Sequence, residues 1–304
     1  MVARATRRAR YTGFMEVPHC VPPRWAKDIT PSRFAATVRT GDAEGCRVAI
    51  LGLADDEGVR LNGGRAGARD GPTAFRAALA RYGAASTATP WPSVFDAGDV
   101  APGDSLDETH TRVTEAARTL HDAGLFPVAI GGGHDLTFPF VRAAAERHNG
   151  LIGIYCDAHL DVRDQPGSGM PFRSLVETCG VRALHAHGID LHTATGEHVQ
   201  WFQSHAGHLD PFGPNDAWPE GEAFVSLDLD VLDMAYAPGV SAPNPCGWSP
   251  RELDAWARAA GKRPSVRAFD IMELNPAHDE GGRTARLAAR LFLSFLAGFA
   301  ERRA

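Results

Sequence analysis

Leu151-Ile152-Gly153-Ile154-Tyr155-Cys156-Asp157-Ala158-His159-Leu160-Asp161 is the stretch on which the fold turns. A short apolar run that ends in metal-capable side chains reads as a buried strand delivering polar groups at its carboxyl end. Strand side chains alternate between faces, so residues two apart point the same way. If the strand runs on, Asp157, His159 and Asp161 share a face. A second run behaves alike, with Ala223-Phe224-Val225-Ser226-Leu227 leading into Asp228-Leu229-Asp230. Burying such acids is costly unless they are paired or hold a metal. A third segment, Gly131-Gly132-Gly133-His134-Asp135, follows an apolar run at 126–130 and opens a helix. Taken alone, it is either a tight turn or a phosphate cradle that lacks the Lys-Ser/Thr of a P-loop.

Together these segments offer six ligand side chains: His134, Asp157, His159, Asp161, Asp228 and Asp230. Four carboxylates aimed at one place repel, and each resists ionising. Two divalent cations cancel that charge one for one. Carboxylates and imidazoles without thiolate suit Mn²⁺ better than a structural zinc. A pair of such ions bridging one water makes hydroxide available at neutral pH, so the expected chemistry is metal-assisted hydrolysis.

Outward from this stretch, apolar runs alternate with helical patterns. Strands are expected near 47–53, 93–96, 126–130, 151–156, 184–189, 222–228 and 265–271. Helices are expected near 71–82, 107–123, 135–148, 195–204, 249–260 and 283–302, with Ser249-Pro250 and Glu252 as one start signal. This alternation predicts an α/β chain, a single three-layer αβα domain with a mostly parallel central sheet. Ligands bind such sheets outside the carboxyl ends of the strands, where all three metal-capable segments fall. The Pro- and Gly-rich stretches 164–171, 206–221 and 235–248 are read as loops. Residues 1–44 are expected to form a partly disordered extension and 45–304 the α/β domain.

Composition narrows the function. The 304 residues are 44% hydrophobic and 22% charged, as in globular proteins, with a formal charge of −6. That charge argues against nucleic-acid and membrane-surface binding, and leaves attraction for an acidic substrate to local arginines. The five cysteines lack a Cys-x-x-Cys pair, which fits a reducing, cytoplasmic setting without disulfides. Four arginines in residues 1–10 precede no apolar stretch, and the run at 287–299 contains Arg290 and is too short to span a bilayer.

The motifs resemble the ureohydrolase family of arginase, agmatinase and formimidoylglutamase over roughly residues 45–300. They are the Gly-Gly-His-Asp turn, Asp-Ala-His-x-Asp, Ser-x-Asp-x-Asp followed by Ala-Pro-Gly-Val-Ser-Ala-Pro (237–243), and Phe-Asp-Ile-Met-Glu-Leu-Asn-Pro (269–276) with Asp279 and Arg283-Thr284-Ala285. Within the family the formimidoylglutamase branch fits best. Asn62-Gly63-Gly64-Arg65-Ala66-Gly67-Ala68, Arg163 two past Asp161, and Ser168-Gly169-Met170-Pro171-Phe172-Arg173 carry that similarity. Arginases and agmatinases place a His where Ser168 stands. Met234, Cys246 and Met170 depart from the usual pattern in loops that face the substrate.

The resemblance implies an arginase-like fold, a homo-oligomer and two Mn²⁺ per subunit. His134, Asp157, Asp161 and Asp228 would hold one ion; Asp157, His159, Asp228 and Asp230 would hold the other. Asp161 would orient a bridging hydroxide and relay its proton, and Glu273 would grip a cationic amidine. The implied reaction is hydrolysis of N-formimino-L-glutamate, a small amidine of histidine degradation, to L-glutamate and formamide. Its carboxylates call for arginine forks, with Arg163 first, then Arg65 and Arg173, helped by Asn62 and Ser168. The competing expectations are an amidinohydrolase that releases urea from a guanidino compound, such as guanidinobutyrate, agmatine or an arginine derivative, and a non-catalytic metal-binding relative.

Overall fold

Alternation of apolar and amphipathic segments yields ten strands and eight α-helices among the described residues, which in this computed structural model are 15–83 and 90–302. The strands are β1 (Cys20–Val21), β2 (Arg39–Thr40), β3 (Val48–Leu53), β4 (Val94–Val100), β5 (Phe126–Ile130), β6 (Ile152–Cys156), β7 (Ala183–His187), β8 (Gly207–Leu209), β9 (Ala223–Asp228) and β10 (Val266–Met272). The helices are α1 (Glu57–Leu61), α2 (Gly71–Leu79), α3 (Leu106–Asp122), α4 (Thr137–Ala145), α5 (Pro171–Cys179), α6 (Gly196–Ser204), α7 (Pro250–Lys262) and α8 (Arg283–Ala300). The Arg-rich run at 1–10 lies outside the described residues.

The strands form one sheet in the order β1-β4-β3-β5-β10-β9-β6-β7-β8, with β2 also on β4. Every pairing is parallel except β1 with β4. Every residue of β3, β6 and β9 is buried, as parallel strands covered on both faces require. Alternate residues feed two cores. Val48, Ile50, Ile154, Leu227 and Ile271 pack with Leu253 and Trp256 of α7 and Phe292 and Phe295 of α8. Ala49, Leu51, Tyr155, Phe224 and Met272 pack with Val113 of α3, Phe140 of α4 and Leu175 of α5. The result is the three-layer αβα architecture.

Helix α7 begins as its sequence predicts, with Ser249 and Glu252 forming a capping box and Pro250 in the first turn. It crosses α8 at two glycines. A Cβ on Gly261 would lie 2.0 Å from the Phe295 carbonyl oxygen, and one on Gly298 would lie 2.1 Å from that of Arg258. Only backbone fits at this crossing. The start of α8 is tied by Asp279, whose two carboxylate oxygens accept from the amides of Thr284 and Ala285, both at 2.9 Å.

The seven long strands lie where expected, apart from shifts of a few residues at their ends. The unexpected strands, β1, β2 and β8, are two or three residues long and add to the sheet's edges. Helix α5 was also not expected. Its signals were Pro171 in the first turn and Gly180 beyond its end at φ +69°.

Candidate metal centre

Sheet order explains why three distant segments meet. β10 lies between β5 and β9, and β9 is flanked by β10 and β6. The carboxyl ends of β5, β6, β9 and β10 therefore present His134, Asp157, Asp228 and Glu273 to one place. The expectation that strand alternation aligns the acids holds only in part. β6 stops at Cys156, β9 stops at Asp228, and Leu229–Val231 is a 3₁₀ turn. Asp161 and Asp230 arrive by loop geometry instead. At both strand ends an aspartate accepts from the amide two residues on: Asp157 Oδ1 from His159 N, and Asp228 Oδ1 from Asp230 N, each at 2.7 Å. This turn folds the chain back so that the next ligand faces the first.

His134 Nδ1 lies 2.8 Å from Asp228 Oδ2, 2.9 Å from Asp161 Oδ2 and 3.2 Å from Asp157 Oδ2. The ligand atoms of these four residues fall within 4.8 Å of one another. His159 Nδ1 lies 3.3 Å from Asp157 Oδ1 and 4.0 Å from Asp230 Oδ2, which extends the cluster toward solvent. The far side of His134 is fixed. Ser226 Oγ donates to Asp270 Oδ1 at 2.5 Å, so it accepts from His134 Nε2–H at 3.0 Å. Loss of the Nδ1 proton leaves a neutral imidazole whose lone pair faces three carboxylates, an arrangement that calls for a cation in place of that proton.

The electrostatics point the same way. Burial opposes charge on His134, yet Asp228, with Asp157 and Asp161 beside it, holds it well above its ordinary range. Burial and then Asp157 push Asp228 up to about 6, and burial with Asp228 and Glu273 pushes Asp230 well above the carboxylate range. Burial and Asp228 lift Glu273 to about 8. Asp157 falls to about 2 despite burial, because the His134 and His159 imidazoles lie beside it at 3.2 and 3.3 Å. These acids cannot all ionise in one pocket unless positive charge is added. Asp157 Oδ2, Asp230 Oδ1 and Glu273 Oε2 are also buried without a hydrogen-bond partner. The donor set fits divalent cations bound by oxygen and imidazole.

Above the acids lies a cavity of about 280 Å³. Asn62, Arg163, Ser168 and Glu273 all line it, and Arg163 has no ion-pair partner among the described residues. Glu273 Oε1 accepts from the His134 amide at 2.7 Å, which joins the two ends of the site. Asp161 and Glu273 have φ of +47° and +65°, in the left-handed region where non-glycine residues are strained.

The two other expected substrate arginines differ in place. Arg65 lines the cavity, but its Nη2 donates to the carbonyls of Pro238 (2.8 Å) and Val240 (2.5 Å) and so fastens the loop after β9. Arg173 lies on α5 outside the cavity lining, bonded to Glu177 at 2.9 Å and stacked 5.2 Å from the Trp201 ring. Pro171 starts a helix, and helical spacing pairs Arg173 with Glu177 four residues on. Sequence reasoning missed Thr193, Ala194 and His198 of the wall after β7, and Ser241 and Ala242 after β9. It also missed Ser226 and Asp270 behind His134. Both of these stand inside motifs that were read, whereas nothing local marks His198.

Comparison with known proteins places this geometry. The model of the Arginase family matches residues 46–298. The formimidoylglutamase of Halobacterium salinarum is 37% identical over 260 residues, covering 77% of this chain and 83% of the relative. That of Aromatoleum aromaticum is 35% identical over 281 residues, covering 80% and 81%. A crystal structure of Trypanosoma cruzi formiminoglutamase with manganese superposes with a TM-score of 0.78 at 32% identity, covering 85% of this chain and 95% of that one. Proclavaminate amidino hydrolase from Streptomyces clavuligerus gives 0.75 at 26% identity, covering 98% and 100%. With residues 46–298 matched by the family model and relatives 35–37% identical over more than three quarters of its length, the chain belongs to the arginase family.

Proposed function

We propose that this chain is a binuclear manganese hydrolase that cleaves N-formimino-L-glutamate into L-glutamate and formamide. The observation that carries the reading is the cluster of His134, Asp157, Asp161 and Asp228 beneath a cavity walled by Glu273 and the unpaired Arg163. Relatives named formimidoylglutamase, and a manganese-containing structure of that name, support the substrate and the metal.

In this reading His134, Asp157, Asp161 and Asp228 hold one ion and Asp157, His159, Asp228 and Asp230 the other. When bound, manganese supplies positive charge and an activated water at neutral pH. Glu273 accepts hydrogen bonds from the cationic formimino group and fixes its carbon over the acids. Arg163 pairs with a substrate carboxylate in fork geometry, and Asn62 and Ser168 complete the wall. Water oxygen adds to the formimino carbon, and Asp161 takes the proton released. Asp161 then returns that proton to the glutamate nitrogen as the carbon–nitrogen bond breaks. A homo-oligomer working in the cytoplasm, with residues 45–304 as the catalytic domain, is the setting we propose. Among the described residues no helix is long and apolar enough to cross a membrane.

Incubation of manganese-loaded protein with formiminoglutamate, agmatine and guanidinobutyrate tests the reading. Equimolar glutamate and formamide are expected. Urea from a guanidino compound, with formiminoglutamate untouched, would replace it with the amidinohydrolase alternative.

A further inference from the structure

The amino ends of the parallel strands carry a second polar cavity, on the edge of the sheet opposite the metal centre. Its volume is about 260 Å³, and its lining includes Arg47 just before β3, Arg267 of β10, His121 at the end of α3 and His148 beyond α4. Arg267 and Met272 bound most of β10, so about 17 Å of strand, at roughly 3.3 Å per residue, separates this cavity from the acids.

Positive charge is in surplus there. Glu222 is the one carboxylate bonded to the lining residues, among those described. Its Oε1 accepts from Arg267 Nε at 2.8 Å and its Oε2 from His148 Nδ1 at 2.7 Å. Arg47 has no hydrogen-bond or ion-pair acceptor among the described residues; its guanidinium rests 5.0 Å from the Phe299 ring centroid. Arg302 packs 4.3 Å from the same ring and donates only to the carbonyls of Ala260, Gly261 and Val266. Because those bonds satisfy Arg302, it adds field rather than a free donor. Burial, then Arg267 and Arg47, lower Arg302 to about 9, which shows how little negative charge surrounds it. His121 Nε2 is buried without a partner, and burial keeps this imidazole neutral by lowering it to about 3. The carboxyl ends of α3 and α8 add partial negative charge, roughly half a unit each, and with Glu222 they are outweighed by Arg47, Arg267 and Arg302.

We propose that this cavity binds a small oxyanion, a phosphate or carboxylate group, through the unpaired fork of Arg47 with Arg267 Nη1 and His121 Nε2 as further donors. Arginine presents parallel N–H groups that match such an anion bidentately. The volume suits a small anion with its waters and is below the range of pockets that enclose drug-sized ligands. The site is independent of the amidine reaction.

Titration calorimetry of the full, manganese-loaded chain with inorganic phosphate, at ionic strength held constant with chloride, tests the proposal. Phosphate binding should weaken at least about tenfold in Arg47→Ala and in Arg267→Ala, the loss expected for one charge-assisted bond. Arg47→Lys should weaken it less. Asp228→Asn should leave it in place, and turnover in Arg47→Ala should stay within about twofold. Arg47 is exposed, so its replacement spares the core. Phosphate affinity unchanged in Arg47→Ala, or abolished by Asp228→Asn alone, overturns the proposal. L-Glutamate in competition then assigns the source: displacement of phosphate marks a carboxylate site, and its failure marks a phosphate site.

Discussion

Arg76 and His134 each stand at the centre of a buried group of aspartates, and the two groups are completed differently. Beneath α2, Arg76 donates from Nε and Nη2 to both oxygens of Asp96, at 2.7 and 2.8 Å, and from Nη1 to Asp99 Oδ1 at 2.6 Å. The charges there sum to one negative, and the second Asp96 oxygen is further bonded by the Gly98 amide at 3.0 Å. Around His134, four aspartates and Glu273 converge on two imidazoles, and three carboxylate oxygens keep no partner. The first group is a finished structural network. The second is finished only when positive charge is added from outside. Partner completion, rather than burial or acid count, separates a strut from a site.

Paired substitutions sharpen this contrast. Asp228→Asn should lower kcat/KM by about 10³-fold or more, since the charge that holds the metal contributes several kcal/mol to the barrier. The same change should leave the metal-free protein as stable as before or more so, because it relieves repulsion. Elemental analysis and melting in chelator check both arms. Arg76→Met should do the reverse, costing about 3–5 kcal/mol of stability by stranding two buried carboxylates. Any folded fraction should keep its metal and its turnover per site. A metal-free Asp228→Asn protein much less stable than the parent would break the comparison.

The same rule separates two arginines. Arg163, without a partner, should raise KM by about 10²-fold on replacement by alanine while metal content holds. Arg173, committed to Glu177 and Trp201, should change KM by less than about twofold when replaced, as surface substitutions do. Steady-state kinetics on both variants decide it, and a larger effect at Arg173 would return it to the site.

A gentler probe is pH. Asp228 and Glu273 have folded pKa values raised to about 6 and about 8, by burial and their acidic neighbours. Their contribution is present below the ordinary carboxylate range and is lost as pH rises through those values. His159, held at about 9 by Asp157 against burial, acts in the same direction at higher pH. Metal-free protein should therefore lose stability between about pH 5 and pH 9. The melting gain from manganese should be larger at pH 8 than at pH 5.5. A gain that shrinks with rising pH would contradict the surplus-acid picture.

Much of this could be read along the chain. Buried parallel strands are continuous apolar runs, so β3, β5, β6, β9 and β10 declare themselves, and the acids that follow them stand out because burial is costly. The convergence of His134, Asp157, Asp161 and Asp228 was legible for that reason. The path by which Asp161 and Asp230 reach the centre was not, because it depends on turns that reverse the chain after the strand has ended. Arginines were the least legible. Arg65, Arg163 and Arg173 look alike in sequence, and only their partners distinguish them: two carbonyls, none, and an acid one helical turn away. His198 reaches the wall from the first turn of α6, on a separate segment that no local spacing ties to the acids.

The left-handed backbone at Asp161 and Glu273 carries a consequence for engineering. Each side chain holds a conformation that glycine or asparagine adopts more readily, so Asp161→Gly and Glu273→Asn should be enriched in a blind selection for heat resistance. Such survivors would fold more firmly and turn over nothing, because the stability gained is the strain the working side chains impose. A thermostability campaign on this scaffold should hold those two positions fixed from the first round.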